Sequence, residues 1–198
     1  MFSAEYFIVS YDVYRFGSLT TEENHMTIDL NKYIRNVPDF PKPGINFKDV
    51  SPLLGDPRAF SFAVRTIKNE WAGKIDAIAG LDARGFIFGA ALAFAMNIPF
   101  VMLRKKGKLP GDTVAVSYDL EYGKAVLEAE KDAFPLGSRV LIVDDLLATG
   151  GTAAAACEIV KRSGARVAGC AFIVELAALK GKAKLPGLKV QTLVTYEE

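Results

Sequence analysis

Apolar residues recur along this chain in two rhythms. From residue 58 to 72 (RAFSFAVRTIKNEWA) they fall at 60, 62–64, 67 and 71, the spacing of one helix face. Asp56 and Pro57 stand where an N-cap and a first helical residue belong. Elsewhere short apolar runs end in charge or glycine: IDAIAGL (75–81), PFVMLRK (99–105), RVLIVDD (139–145), RVAGCAFIVEL (166–176) and KVQTLVTY (189–196). Runs of this length predict strands buried on both faces. Between them, 84–96 and GTAAAACEIVKRSG (151–164) predict helices, the second stopped at Gly164. TVAVSYDLEYG (113–123) and KAVLEAEKDAF (124–134) partly alternate and predict a paired ribbon. VPDFPKPGINF (37–47), with three prolines and a glycine, predicts an extended loop. Strands alternating with helices predict an α/β fold, a mostly parallel sheet flanked by helices. Ligands bind such sheets at the carboxyl ends of strands, so the loops after 81, 104, 145 and 176 are the places to search.

Composition narrows the chemistry. The 198 residues fit one domain, and 51% hydrophobic content is enough to bury a core. A formal net charge of +1 argues against a general nucleic-acid coat. The one histidine, His25, stands near the amino end, which argues against triads with a core histidine and against zinc sites built on several histidines. Cys157 and Cys170 form no metal motif and predict buried, reduced thiols in a cytoplasmic protein. The first 25 residues lack a basic start, and Asp12 and Arg15 interrupt their apolar stretch, so they do not predict a secretory signal. They precede a second methionine, Met26, and read as an extension outside a single domain over 26–198. Residues 85–103 carry no charge, but Asn97 and Pro99 cut the run below spanning length, so no membrane segment is expected.

The main chemical signal is VLIVDDLLATGGTAAAA (140–156). A buried strand delivers Asp144 and Asp145 to its end, and Thr149-Gly150-Gly151-Thr152 then opens a helix. Glycines let consecutive N–H groups close on an anion, and the helix start adds positive partial charge. Two threonine hydroxyls complete a cradle for a phosphate monoester, and paired carboxylates suit vicinal hydroxyls. Phosphate plus diol indicates ribose 5-phosphate. No Walker loop or GxGxxG is present.

VLIVDDLLATGGT resembles the phosphoribosyl pyrophosphate signature of type I phosphoribosyltransferases. DFPKPGINFKDVSPLL (39–54), GLDARGFIFG (80–89), VMLRKKGKLPG (101–111), SYDLEYGK (117–124) and VELAALKG (174–181) resemble, in order and spacing, the adenine phosphoribosyltransferase family. The resemblance covers about residues 29–196. It implies a type I phosphoribosyltransferase fold with a small hood from about 29–54 and 174–188 and a flexible lid loop. It also implies transfer of phosphoribose from phosphoribosyl pyrophosphate to adenine, giving AMP and pyrophosphate, with Mg2+.

Ribose 5-phosphate is then expected at Asp144, Asp145, Ala148, Thr149, Gly150, Gly151 and Thr152. Pyrophosphate is expected at Ala83, Arg84, Arg104, Lys105, Lys108 and Tyr122. The residue types fit: Arg84 can grip phosphate oxygens in a fork, and four cations crowd positions 104–108 beside a turn. The resemblance makes Glu121 the acid/base residue, with Arg84 as the second catalytic group. It places adenine among Asn46, Phe47, Lys48 and Leu176, with Phe47 stacking on the ring and the Asn46 backbone reading the amino edge. Family members usually carry a small aliphatic residue at position 46 and arginine at 48. The resemblance further implies a homodimer with Arg104 reaching across the interface. Magnesium is expected to arrive with its substrate, held by substrate oxygens and water.

Two alternatives stay open on the residues. Lys48 or Asn46 as a donor to a six-oxo group would suit an oxopurine phosphoribosyltransferase. A regulator that senses phosphoribosyl pyrophosphate and binds nucleic acid would need a basic face or added domain; residues 1–36 are too short for a winged helix.

Overall fold

The computed structural model describes residues 27–120 and 123–197. The extension 1–25 lies outside them. A 3₁₀ turn at Leu30–Tyr33 leads into β1 (Arg35–Val37), which pairs antiparallel with β2 (Phe47–Asp49) as a separate two-stranded sheet. These two strands enclose the proline-rich loop. Being three residues long, they carry no readable alternation. A short α1 (Ser51–Gly55) and the long α2 (Pro57–Trp71) follow. Asp56 caps α2 as expected, its Oδ1 accepting from the N–H groups of Arg58 and Ala59 at 2.9 Å each, an arrangement typically worth about 1 kcal/mol.

The main sheet contains β3 (Ala77–Leu81), β4 (Phe100–Lys105), β5 (Thr113–Leu120), β6 (Gly123–Glu130), β7 (Arg139–Leu147), β8 (Arg166–Leu176) and β9 (Lys189–Tyr196). Their order is β5-β6-β4-β3-β7-β8-β9. The five strands from β4 to β9 run parallel, and the β5–β6 hairpin extends the sheet antiparallel at one edge. Two helices complete the layers: α3 (Arg84–Met96) and α4 (Gly151–Arg162).

Period-two alternation divides the core. Ala77, Ala79 and Leu81 of β3, Val140 and Ile142 of β7, and Cys170 and Phe172 of β8 face α4. Ile78, Leu141, Val143, Ala171 and Ile173 face α2 and α3. Both sides are buried, which explains the unbroken apolar runs. The expected second ribbon strand stops at Glu130 rather than 134. Lys131 turns, its N–H donating to the Asp112 carbonyl at 3.0 Å, and Phe134 drops into the core. Cys157 and Cys170 are both buried free thiols. No helix among the described residues is long and apolar enough to cross a membrane.

Candidate active site

Chain direction along the sheet reverses between β3 and β7: the chain goes from β3 outward to β4 on one side and returns to β7 on the other. That switch point leaves a crevice at the strands' carboxyl ends. The loop after β3 carries Asp82, Ala83 and Arg84 into it, and β7 carries Asp144 and Asp145. A cis peptide joins Asp82 to Ala83.

Beyond β7, Gly150 sits at φ +76° as the residue before α4, with no side-chain cap on the helix. A Cβ there would collide with the carbonyl oxygen of Gly181, so the turn needs glycine. Uncapped first-turn N–H groups are the donors an anion meets. They border a cavity of about 80 Å³, several times what one water needs (~10–15 Å³), lined by Asp144, Ala148, Thr149, Gly150, Gly151 and Thr152 among others. All seven positions expected to hold ribose 5-phosphate therefore lie in one continuous stretch, and six of them line this cavity.

Asp145 is nearly buried and pairs with Arg84, whose Nε donates to Oδ2 at 2.5 Å. Asp144 accepts the Asp145 N–H at 2.9 Å. Burial, reinforced by the Asp145 charge, pushes the Asp144 carboxyl well above the usual carboxylate range. Arg84 also lies over the Phe47 ring, 5.0 Å from its centroid, and Phe40 meets that ring edge-on at 5.2 Å. The hood strand β2 is thus brought against the crevice.

The lid cations are anchored through Asp82. Arg104 Nε and Lys108 Nζ approach its Oδ2 at 3.5 and 3.4 Å, and Arg104 Nη1 donates to the Lys108 carbonyl at 3.1 Å. Burial alone would raise the Asp82 carboxyl, but Lys108 and Arg104 outweigh it and hold it below the usual range. Gly107, at φ +78°, forms the lid turn, and its N–H donates to the buried Glu128 at 3.0 Å. Lys105 is exposed beside this turn. Arg104 is engaged within its own chain here.

Other expected residues are placed less centrally. Asn46 is exposed and lines an outer hollow with Asn36, Pro38 and Gly44. Lys48, only 2% exposed, puts its Nζ 3.9 Å from the Tyr196 ring centroid. Leu176 ends β8, paired in register with Tyr196. β5 ends at Leu120 and β6 begins at Gly123; Glu121 and Tyr122 between them lie outside the described residues. Sequence reasoning passed over Asp82, Glu175 and Tyr196. Glu175 is buried and accepts from Thr192 at 3.1 Å and from Lys182 at 2.6 Å. For Asp82 and Glu175 the one signal was an isolated charge at or near the end of an apolar run; Tyr196 offered none.

The phosphoribosyl transferase domain family matches residues 58–193. An adenine phosphoribosyltransferase of Methylococcus capsulatus is 52% identical over 168 residues, 84% of this chain and 98% of that protein. The Homo sapiens adenine phosphoribosyltransferase is 52% identical over 172 residues, covering 85% and 96%. Among solved structures, adenine phosphoribosyltransferase from Thermoanaerobacter pseudethanolicus has a TM-score of 0.82 at 46% identity, covering 84% of this chain and 98% of that one. The Saccharomyces cerevisiae enzyme, complexed with an imino-altritol bisphosphate and adenine, has a TM-score of 0.79 at 43% identity, covering 83% and 96%. Matched by the phosphoribosyl transferase domain family over most of its length, and about half identical to adenine phosphoribosyltransferases that it covers almost completely, the chain belongs to the adenine phosphoribosyltransferase family.

Proposed function

We propose that this chain transfers the 5-phosphoribosyl group from phosphoribosyl pyrophosphate to adenine, giving AMP and pyrophosphate in purine salvage. One observation carries the reading: a phosphate-sized cradle at the start of α4, an acid pair for the ribose diol and an arginine under an aromatic ring meet at one switch point. At the anomeric carbon the bond to pyrophosphate oxygen breaks as the bond to adenine nitrogen forms. Positive charge builds on ribose, negative charge on the leaving group, and a water-poor crevice strengthens whatever charges face them.

In this reading the 5-phosphate sits on the N–H groups and hydroxyls of 148–152. Asp144 and Asp145 take the ribose hydroxyls. Asp144, holding its proton more tightly than an ordinary carboxyl, can donate as well as accept. Pyrophosphate is received by the Ala83 backbone, Arg84, Arg104, Lys105, Lys108 and Tyr122, and Glu121 manages the proton on the five-membered ring of the base. Adenine lies between Phe47 and Leu176, its amino edge read by the backbone of Asn46. Binding requires Arg84 to exchange Asp145 for a phosphate oxygen, and the lid to exchange Asp82 likewise.

Magnesium accompanies phosphoribosyl pyrophosphate. Among the described residues no three His, Cys, Asp or Glu side chains cluster as a metal cage. Two carboxylates, one of them already held by Arg84, fit an ion carried chiefly by substrate oxygens and water. When bound, it neutralises charge on the diphosphate. The reading includes a cytoplasmic homodimer. Support comes from the outer face of α3, where Phe94 is 90% and Ile87 44% exposed on a helix apolar all round, a surface that a second copy would cover.

Competition decides the substrate. With phosphoribosyl pyrophosphate and equal adenine and hypoxanthine, AMP should be the product; exclusive formation of the hypoxanthine nucleotide overturns the reading. Sedimentation at micromolar concentration should give about twice the chain mass of 21.5 kDa.

A further inference from the structure

The two side chains that adjoin the proposed walls of the base slot meet behind it. Phe47 and Lys48 are neighbours on β2, and residues next to each other on a strand point to opposite faces. Phe47 faces Arg84. Lys48 faces the other way and rests on the Tyr196 ring at 3.9 Å, almost sealed from water. Tyr196 is in turn the register partner of Leu176, the opposite wall.

A second path closes the circuit. The Tyr196 hydroxyl donates to Asn31 Oδ1 at 2.5 Å. Asn31 belongs to the 3₁₀ turn that leads into β1, and β1 pairs back onto β2 with Asn36 opposite Lys48. Tyr196 therefore holds β2 twice, through the ring to Lys48 and through the hydroxyl to Asn31. Beside it, Glu175 fixes the end of β8 through Thr192 and Lys182. A buried ammonium has few ways to recover its lost hydration, and an aromatic face is one of them. The Lys48–Tyr196 contact is thus one of the interactions that hold the hood in position.

We infer that Lys48 and Tyr196 are positioning residues for the base: their contact sets the distance from Phe47 to Leu176, and with it the fit of a flat purine. This rests on the proposed placement of adenine between those two walls. Lys48 acts from behind Phe47, not on the base. The phosphate cradle and the acid pair lie on other elements, and of the groups assigned to phosphoribosyl pyrophosphate Arg84 touches Phe47 through its ring face, so that substrate should sense the contact far less than adenine does.

Steady-state kinetics on the full chain test this, with Phe47→Ala as the control for the slot itself. Tyr196→Leu removes the ring and should raise KM for adenine by several-fold and at most about tenfold, the limit reached if the whole of a cation–π contact holds the slot in its binding-competent position. KM for phosphoribosyl pyrophosphate and kcat at saturating adenine should stay within about twofold. Tyr196→Phe keeps the ring and should show a smaller rise. Lys48→Arg should restore the adenine KM that Lys48→Met loses. Should Tyr196→Leu not fold, the lysine pair carries the test. An unchanged adenine KM in Tyr196→Leu and Lys48→Met, or equal rises for both substrates, overturns the inference. If Phe47→Ala also leaves the adenine KM unchanged, the slot reading falls instead.

Discussion

Adding one methyl group at Gly85 would separate packing from catalysis in this site. Gly85 is the second residue of α3, directly after Arg84. A Cβ built there stands 2.6 Å from the Val143 carbonyl oxygen, 2.8 Å from Asp144 Oδ1 and 3.0 Å from Asp144 Cα. Ordinary contact begins near 3.4 Å, so the start of α3 must retreat from β7 by about 0.8 Å. Two of the three atoms are backbone and cannot rotate aside. Overpacking of this kind costs about 1–3 kcal/mol, while replacing helical glycine by alanine returns up to about 1 kcal/mol. The net loss, about 0–3 kcal/mol, leaves a domain of ordinary stability more than about 95% folded at 25 °C. Its thermal midpoint should fall by at most roughly 12 °C. Activity should suffer far more. Arg84 and the acid pair are displaced relative to each other by nearly an ångström, and misplacement on that scale costs on the order of 100-fold. The assay is kcat/KM for phosphoribosyl pyrophosphate at 25 °C, beside a thermal unfolding scan. Activity within threefold of the parent in a folded Gly85→Ala protein would refute the reasoning, as would a loss matched by the unfolded fraction.

Three further outcomes are expected. Gly150→Ala must push against the Gly181 carbonyl at a left-handed φ, so KM for phosphoribosyl pyrophosphate should rise at least about tenfold with adenine binding little changed; equal damage to both by equilibrium binding would contradict it. Glu121→Gln should lower turnover far more than it weakens binding of phosphoribosyl pyrophosphate, and unchanged turnover removes Glu121 from the mechanism. Hydrogen bonds from the Ser51 hydroxyl and N–H, then the Arg35 charge, lower the Asp49 carboxyl from 3.8 to about 2. A carboxyl depressed by folding stabilises the fold above its unfolded value near 3.8 and loses that contribution as pH falls towards 2. Denaturation midpoints of the parent and Asp49→Asn should therefore differ at pH 5 and converge near pH 2; a constant gap across that range would count against it.

The sheet was readable because both its faces are buried. β8 and β9 were bounded to the residue as RVAGCAFIVEL and KVQTLVTY, and α2 to within one, because each run is closed by charge, glycine or a capping aspartate. β1 and β2 escaped notice because three residues cannot show a period. The phosphate cradle was legible for a different reason: it is continuous in sequence, and one strand, one turn and one helix start make it whole. The counter-ions were not. Asp82 with Lys108, Arg84 with Asp145, and Lys48 with Tyr196 join positions 26, 61 and 148 residues apart, and only strand order brings them together. Lys48 illustrates the limit. A lysine beside Phe47 reads as a hand toward the ligand, and nothing along the sequence shows that its ammonium rests on the Tyr196 ring.

The ion pair between Arg84 and Asp145 bears on how the crevice tells a whole molecule from its pieces. On the proposed roles, Arg84 serves the diphosphate half and Asp145 the sugar half. A fragment that binds one half alone must break this pair: pyrophosphate alone leaves Asp145 uncompensated in a nearly buried place, and ribose 5-phosphate alone leaves the half-exposed Arg84 without its counter-ion, the smaller penalty. A molecule carrying both halves on one scaffold replaces the internal pair in a single exchange and strands neither charge. Free pyrophosphate and free ribose 5-phosphate thus meet a penalty that the joined compound avoids. By reciprocity, each fragment relieves that penalty for the other by the same factor. The pair works as a logical AND at the mouth of the cleft: intact donor, or both fragments together, is admitted in preference to either part.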